Sequence, residues 1–567
     1  MRPPTDRYTI DAMQVLAASE MQACDRATSE RFGISSMQLM RNASASVAAF
    51  AREQFPKARR VTVLCGRGNN GGDGMMAARL LAESGLDVTA LLLGAPAELK
   101  GDAAAAWREL KASSAKGHLH VISTPDDLAR HTSALKTDLL LDAVLGTGFK
   151  PPLKGLALAV LEWMRSTTAP VLAIDLPSGW PGDDTSATPA GPVFPADAVI
   201  TFTAPKPAHI FGQLTRHWSQ PIVVAPIGSP DAAIISSLQM DWAGSALAFA
   251  QAPRPADSNK GNFGHVLVVG GTFGSAGGKS GAPSMTSLAA LRSGAGLVTA
   301  AVPAPALPLV AAVAPELMTW PLAATASGQI AGNRNLLPRQ LAALTAGKTV
   351  LAVGPGMGQS PDAAKFLTGL LSATAMPAVI DADALNILAA NPALRAKLAK
   401  MAQAGRTVVL TPHPGEMARL AGIPVAEIQA NRLEIARAFA QRNQLTLVLK
   451  GWRTLIAHPD GRVAVNTTGN PGMAKGGSGD LLTGFVAGLL AQYSTAPARA
   501  VEAAVYLHGL AADMAVRAGD EHTLLATDTL VQLSPAFHFH SGGRSGYVWL
   551  QGLPVSLPVN RSHEAAE

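Results

Sequence analysis

Short apolar runs recur along this chain, and each stops near Gly, Pro, Asp or Asn before a helical pattern takes over. In the first half they occupy residues 61–65, 88–93, 139–143, 171–174 and 198–202, after a helical stretch over 15–55. A strand buried on both faces reads as a continuous apolar run, so these predict parallel strands covered by helices. A second series follows at 266–269, 297–301, 350–353, 378–380, 407–410 and 445–449. The fold class is therefore α/β, with a doubly wound sheet in the first half, whose ligands sit beyond the carboxyl ends of its strands, and a second α/β series in the other half. A chain of 567 residues also exceeds one ordinary core.

The polar, proline-bearing segment QAPRPADSNKGN marks the expected division. It predicts a first domain over 1–242, a linker over 243–262, and a second domain over 255–536. Residues 537–567 lose periodicity and are expected to form a poorly ordered tail. The 46 basic and 40 acidic residues leave a diffuse excess with no dense Lys/Arg tract, which argues against nucleic acid. Two cysteines, Cys24 and Cys65, give neither a disulfide framework nor zinc spacing. The N-terminus lacks the apolar core of a signal peptide, and no apolar run reaches the ~18 residues of a spanning helix. A cytoplasmic homo-oligomer acting on small molecules, with no membrane partner, is expected.

In the first half, a strand runs into Gly66-Arg-Gly-Asn-Asn-Gly-Gly-Asp-Gly74 and then a helix. Unpaired backbone N–H groups at such a helix start bind phosphate. Gly66, Gly68 and Gly71 match the dinucleotide spacing, but the second strand ends TALLLGAP without the carboxylate that an ordinary dehydrogenase requires. Asn69, Asn70 and Asp73 are costly polar choices for a mere turn. Asp142, before Gly146-Thr-Gly148, and Asp175, before Ser178-Gly179, place carboxylates at two more strand ends. If these strands are neighbours, Asn70, Asp142, Asp175 and Ser178 converge, and buried carboxylates there need a cation or a proton. Their oxygens suit a hard monovalent or divalent ion.

In the second half, Asn470-Pro-Gly-Met-Ala-Lys-Gly-Gly-Ser-Gly-Asp480-Leu-Leu-Thr-Gly484 leads glycines directly into a helix. Its N–H groups can form an anion hole for a transferring phosphoryl group, and Asp480 can take a proton from the attacking hydroxyl. GSAGGKS at 274–280 is not a phosphate-binding Walker loop, since three residues rather than four separate its glycines. His413, between two prolines and beside Glu416, is a ligand candidate at a strand end.

GRGNNGGDG, LLDAVLGTG, AIDLPSG and TFTAPKPA resemble the YjeF N-terminal family, the NAD(P)HX epimerases, over about residues 10–240. The resemblance implies a Rossmann-like fold and a hydrated dinucleotide held by Asn69, Asn70, Gly71, Gly72 and Asp73. It adds the loop Gly146, Thr147, Gly148, Phe149, Lys150, Pro151 and Pro152, with Asp175 as the catalytic group at the reacting ring. It also implies K+ near Asn70, Asp142 and Ser178. The chain departs from the family where LMRNASASVA replaces an acidic residue and glycine, and at Trp180-Pro181; both bear on the pocket mouth.

KGNFGHVLVVGG, GPGMG, DADALN, TPHPGEMARL, KGWRT and GNPGMAKGGSGDLLTG resemble the NAD(P)HX dehydratase branch of the carbohydrate-kinase family, over about residues 255–535. That resemblance implies a ribokinase-like fold, Mg2+, and ADP, or less readily ATP, as co-substrate. Lys450, Gly451, Trp452, Arg453, Thr454 and Gly479 would contact the nucleotide, and Ala282, Gly356, His413 and the catalytic Asp480 would face NADHX or NADPHX. The two resemblances together imply epimerisation of R- and S-NAD(P)HX followed by nucleotide-dependent dehydration of the S epimer. A kinase for a small alcohol would use the same C-terminal chemistry but leaves the first half unexplained.

Overall fold

The computed structural model describes residues 12–113, 118–275, 277–541 and 546–555. They form two units, one from Met13–Leu238 plus the stretch beginning at His540, the other from Gln239–Phe539.

The first unit is built on β1 (Arg60–Cys65), β2 (Asp87–Leu93), β3 (Leu119–Ile122), β4 (Leu139–Ala143), β5 (Val171–Ile174), β6 (Ala198–Phe202) and β7 (Ile222–Ala225). They pair in parallel in the order β7-β6-β5-β4-β1-β2-β3. The order reverses between β1 and β4, where a doubly wound sheet opens its ligand crevice. Asp142 and Ala143 lie at that reversal, with Leu64 opposite Asp142. The expected single helical stretch is two helices, Ala18–Phe32 and Ser36–Gln54, parted by Gly33 in the left-handed conformation.

The second unit contains β8 (Met240–Trp242), β9 (His265–Val269), the two-residue strands β10 (Phe273–Gly274) and β11 (Gly277–Gly278), β12 (Leu297–Pro303), β13 (Met318–Leu322), β14 (Val350–Val353), β15 (Ala378–Ile380), β16 (Val408–Leu410), β17 (Thr446–Leu449), β18 (Leu455–Ala457) and β19 (Val463–Val465). Its large sheet runs β13-β12-β9-β14-β15-β16-β17-β18-β19-β8. All pairs are parallel except β17–β18 and β18–β19. Asp460 and Gly461 turn the β18–β19 hairpin, with Gly461 at φ 94°. The helix Ser478–Gln492 lies against Gly281–Arg292 so closely that a Cβ on Gly484 would stand 2.2 Å from the Thr286 carbonyl oxygen. Among the described residues no helix is long and apolar enough to cross a membrane.

Two expectations are corrected. The unit changes at Leu238/Gln239, not across 243–262. β8 is buried and pairs with β19; Asp241 meets Arg462 at 3.0 Å, and the Trp242 indole donates to Thr467 Oγ1 at 2.8 Å. Three residues are too few to display a period, so the strand went unseen beside the conspicuous polar stretch. That stretch is docked rather than a free linker: Arg254 stacks 3.8 Å from the Phe263 ring centre and donates to the Gly294 carbonyl.

The tail is the second correction. Residues 542–545 and 556–567 lie outside the described residues, but Val548–Gln551 forms β20 and pairs antiparallel with β7 of the first sheet. Tyr547 and Trp549 pack edge-on against Phe50, and the Tyr547 hydroxyl donates to the Ser46 carbonyl at 3.0 Å. A four-residue strand on a sheet edge carries too weak a pattern to be read alone. Trp549→Ala is expected to destabilise the first unit by about 3–5 kcal/mol, because it empties a buried aromatic site. Urea unfolding should show this as an early transition in the first unit, leaving that of the second unit in place.

Candidate active sites

In the first unit, β1 ends at Gly66, and Gly68 caps the helix Asn69–Glu83. A Cβ on Gly66 would lie 2.0 Å from the Val144 carbonyl oxygen, so only glycine lets this turn cross the end of β4. Gly71 has a similar duty, since its Cβ would meet the Gly66 carbonyl oxygen at 1.9 Å. Both Gly71 and Gly72 are buried and stand outside the lining of the cavity that adjoins this turn. Asn69, Asn70 and Asp73 do line a cavity of about 870 Å³, as do Gly146, Thr147, Gly148, Phe149 and Asp175. Lys150, Pro151 and Pro152 stand outside its lining.

Asn70, Asp142 and Ser178 converge as expected, around Leu145. Asn70 Nδ2 donates to the Leu145 carbonyl at 3.0 Å, and the Leu145 N–H donates to Ser178 Oγ at 2.8 Å. Asp142, wholly buried, accepts from the Ser178 hydroxyl at 2.6 Å and the Ser178 N–H at 2.7 Å. Burial outweighs these bonds and lifts its carboxyl to about 6. Asn70 Oδ1 is buried without a hydrogen-bond partner.

Asp175 follows β5 with φ 67°, an uncommon conformation for a non-glycine residue. Its Oδ1 accepts from Lys206 Nζ at 2.8 Å and Thr201 Oγ1 at 2.9 Å, and its Oδ2 accepts from the Thr147 N–H at 3.0 Å. Burial would raise this carboxyl, but Lys206, His209 and the hydrogen bonds together bring it down to about 2. His209 Nδ1 accepts from the Lys206 N–H, which leaves Nε2 to donate to the Asp175 carbonyl oxygen at 2.6 Å. Lys206 and His209 are the groups that sequence reasoning missed. The signal was a lysine in TFTAPKPA, charged where its neighbours are buried.

The first departure from the family pattern reaches this cavity, since Leu39, Met40 and Ala43 line it, while Arg41 turns to Glu109 in an exposed ion pair at 3.0 Å. Trp180, at the second departure, is buried and stands outside the lining.

In the second unit, side chains gather at the carboxyl ends of β15, β16 and β17. Asp381 follows β15; its Oδ1 accepts from Lys450 Nζ at 3.0 Å and its Oδ2 from Thr483 Oγ1 at 2.8 Å. A Cβ on Gly479 would stand 3.4 Å from Lys450 Nζ, so the helix start and the lysine adjoin. Asp480 lies in the first turn of the helix Ser478–Gln492. Burial and then Asp381 push its carboxyl up to about 6, against the pull of Lys450 and Lys279. Asp383 accepts from Lys279 Nζ at 3.4 Å, the Gly358 N–H and Gln359. Gly356 and Ala282 adjoin Lys279, since a Cβ on Gly356 would meet the Ala282 and Lys279 Cβ atoms at 3.2 and 2.8 Å. Asp381, Asp383 and Lys279 carried no expected role, although Asp381 shows the strand-end signal read in the first half.

Two expected residues do other work in the geometry. His413 caps the helix Pro414–Ala421: its Nδ1 accepts from the Gly415 N–H at 3.0 Å, while Glu416 accepts from the His413 N–H at 2.8 Å. Its half-exposed ring keeps the Nε2 edge, 3.6 Å from Glu416 Oε1. Arg453 turns inward, donating to the Thr467 carbonyl at 2.8 Å with its guanidinium 4.3 Å from the Trp452 ring centre. Gly451 and Trp452 are exposed, and Thr454 Oγ1 donates to the Gly451 carbonyl at 3.1 Å.

The family model described as YjeF-related protein N-terminus matches residues 36–208, and the one described as NAD(P)H-hydrate dehydratase matches 266–534. The bifunctional NAD(P)H-hydrate repair enzyme of Moorella thermoacetica is 39% identical over 91% of this chain and 95% of its own length. That of Coxiella burnetii is 37% identical over 88% and 95%. The solved ADP/ATP-dependent NAD(P)H-hydrate dehydratase of Bacillus subtilis, co-crystallized with ATP/Mg2+, is 33% identical with a TM-score of 0.41, covering 52% of this chain and 96% of that one. With both halves matched in order and nearly the full length of the relatives spanned, the chain belongs to the family of bifunctional NAD(P)H-hydrate repair enzymes.

Proposed function

We propose that the first unit interconverts the R and S epimers of NADHX and NADPHX, and that the second dehydrates the S epimer with an adenine nucleotide, ADP before ATP. The observation that carries this reading is two carboxylate centres that share no residue: Asp175, following β5, beside Lys206, and Asp480, in the first turn of the helix Ser478–Gln492, near Lys450 and Asp381.

The hydrate bears a hydroxyl on ring carbon six, and hydroxide is a poor leaving group. Transfer of a phosphoryl group to that oxygen makes a good one, which the ring nitrogen's lone pair can expel. Asp480 takes the hydroxyl proton, and the N–H groups of the glycine-rich loop before it receive the moving phosphoryl. Lys450, fixed by Asp381, supplies positive charge beside Gly479. Trp452 offers an exposed ring to the base, and Ala282, Gly356 and the His413 edge form the side for the hydrated ring. Among the described residues no three His, Cys, Asp or Glu side chains are set to hold a metal ion. Mg2+ would enter with the nucleotide phosphates, and no step is assigned to it.

Asp480→Asn should lower dehydration at least about 10²-fold while epimer exchange continues, measured by chromatography of the two epimers. Because Asp480 must be ionised to act and its carboxyl sits at about 6, dehydration should fall as pH drops through that value. A rate flat between pH 7 and 5 would contradict its role as base.

In the first unit, Asn70, Asp142 and Ser178 fit K+. An unpartnered buried amide oxygen and a buried carboxyl held up by desolvation are what a monovalent cation relieves. The ion would neutralise charge near the dinucleotide, while Asp175 acts beside the ring. Crystals soaked in Rb+ should show anomalous scattering beside Asn70 Oδ1, and Asn70→Ala should abolish that peak. Asp175→Ala should leave the chain consuming the S epimer and stalling on the R epimer, read from initial rates.

A further inference from the structure

The helix Ala18–Phe32 forms one wall of the first unit's cavity. Met21, Asp25 and Ser29, four residues apart, all reach it. Asp25 is a poor structural choice there. Its carboxyl caps no helix end, and Oδ1 is buried with no hydrogen-bond partner. A carboxylate oxygen without a donor is costly to bury, whereas a protonated carboxyl, or one awaiting a hydroxyl, is not. Ser29 Oγ bonds only the Asp25 main-chain carbonyl, so it does not relieve that oxygen.

We propose that Asp25 is the proton donor of the epimerase site, working against Asp175 as the base. This rests on the epimerase reading given above. The two carboxyls come from different walls of one cavity, Asp25 from the N-terminal helix and Asp175 from the end of β5. Asp175 is fixed in its ionised form by Lys206, Thr201 and the Thr147 N–H; Asp25 has no such partner. Burial raises the Asp25 carboxyl to about 6, with Lys206 pulling it down and Asp175 pushing it up. Carboxyls whose surroundings drive them apart in this way divide into an acid and a base. Arg26 and Glu30 share the Asp25 helix, and Arg67, Asp73, Asp102, Asp175 and Lys206 face the cavity from other elements. Asp73 is also held up by burial, then by Asp175 and Asp25, but it belongs to the helix that starts at the sheet.

Inversion then runs in two halves. Asp25 gives its proton to the hydroxyl on ring carbon six. The carbon–oxygen bond breaks, its electron pair leaves with water, and the ring nitrogen's lone pair closes the carbon–nitrogen double bond. A water adds to the other face of that carbon, the double-bond pair returns to nitrogen, and the surplus water proton passes to Asp175. One water leaves and one enters; Asp25 recovers its proton, and Asp175 loses one, by exchange with solvent. The reverse reaction exchanges the two roles.

The full chain carrying Asp25→Asn, Asp73→Asn or no substitution should be given mixed NADPH hydrate epimers in 18O-water. Wild type should place solvent oxygen in the hydrate with each inversion, at a rate that falls as pH rises above about 6. Asp25→Asn should slow exchange and label uptake at least about 10²-fold, keep KM within threefold, and lose that alkaline fall. Its urea transition for the first unit should match wild type, which reports folding of that unit, and its dehydration of the S epimer with ADP should be unchanged. Exchange within threefold of wild type, or the full loss reproduced by Asp73→Asn with Asp25→Asn near normal, overturns the assignment. If Asp25→Asn does not fold, the wild-type profile decides, and the absence of an alkaline fall overturns it. A wild-type chain that dehydrates but exchanges no epimers removes the epimerase reading itself.

Discussion

A carboxyl group at the end of a strand buried on both faces has left water and must be given a counter-charge, a donor or a proton. In the first unit two strand-end carboxyls meet that demand differently: Asp175 receives Lys206, and Asp142 receives Ser178. Asp25, on the helix that walls the cavity, faces the same demand with an Oδ1 that no donor reaches. The second unit repeats the arrangement, with Asp381 taken by Lys450 and Thr483 while Asp480 stays less compensated. Ion pairing keeps Asp175 a carboxylate able to accept a proton, and through Asp381 it holds Lys450 in place. The poorly compensated ones titrate within reach of neutral pH, where proton transfer is useful.

The central strands were legible because burial on both faces writes a plain apolar run, and 139–143, 171–174, 198–202, 350–353 and 378–380 match the observed bounds. The edges were not. β8, β18, β19 and β20 are short, β18, β19 and β20 pair antiparallel, and β13 is only partly buried, so their stability comes from the neighbour they join. Loops with several glycines were legible as binding turns, yet part of their glycine content answers to packing: Gly66 and Gly71 admit main-chain oxygens, and Gly484 admits a helix.

Among candidate site residues, those beside a break in pattern stood out and those on a helix face did not. Asp142 and Asp175 stand at the ends of apolar runs, and Asp480 follows a glycine-rich loop. Asp25 stands in a polar stretch, Cys-Asp-Arg, where a carboxylate is unremarked, and only the fold turns it toward the cavity. His413 carries two meanings at once, because the proline neighbours and nearby glutamate that mark a ligand candidate also describe a reciprocal helix cap. Arg453 shows that a cation in a binding-loop motif can be engaged with its own main chain.

The pairing of β20 with β7 has a consequence for synthesis. β7 leaves the ribosome early, and the entire second unit is translated before Val548–Gln551 arrives to cover it. Until then the nascent first sheet ends in an open strand edge beside an uncovered Phe50, the kind of surface that templates misassembly. Vectorial folding, in which a leading domain finishes before the next begins, is thus closed to this chain. A chaperone or slow pairing partner has its greatest opportunity in that interval, and stop codons late in the message strike the earliest-made domain.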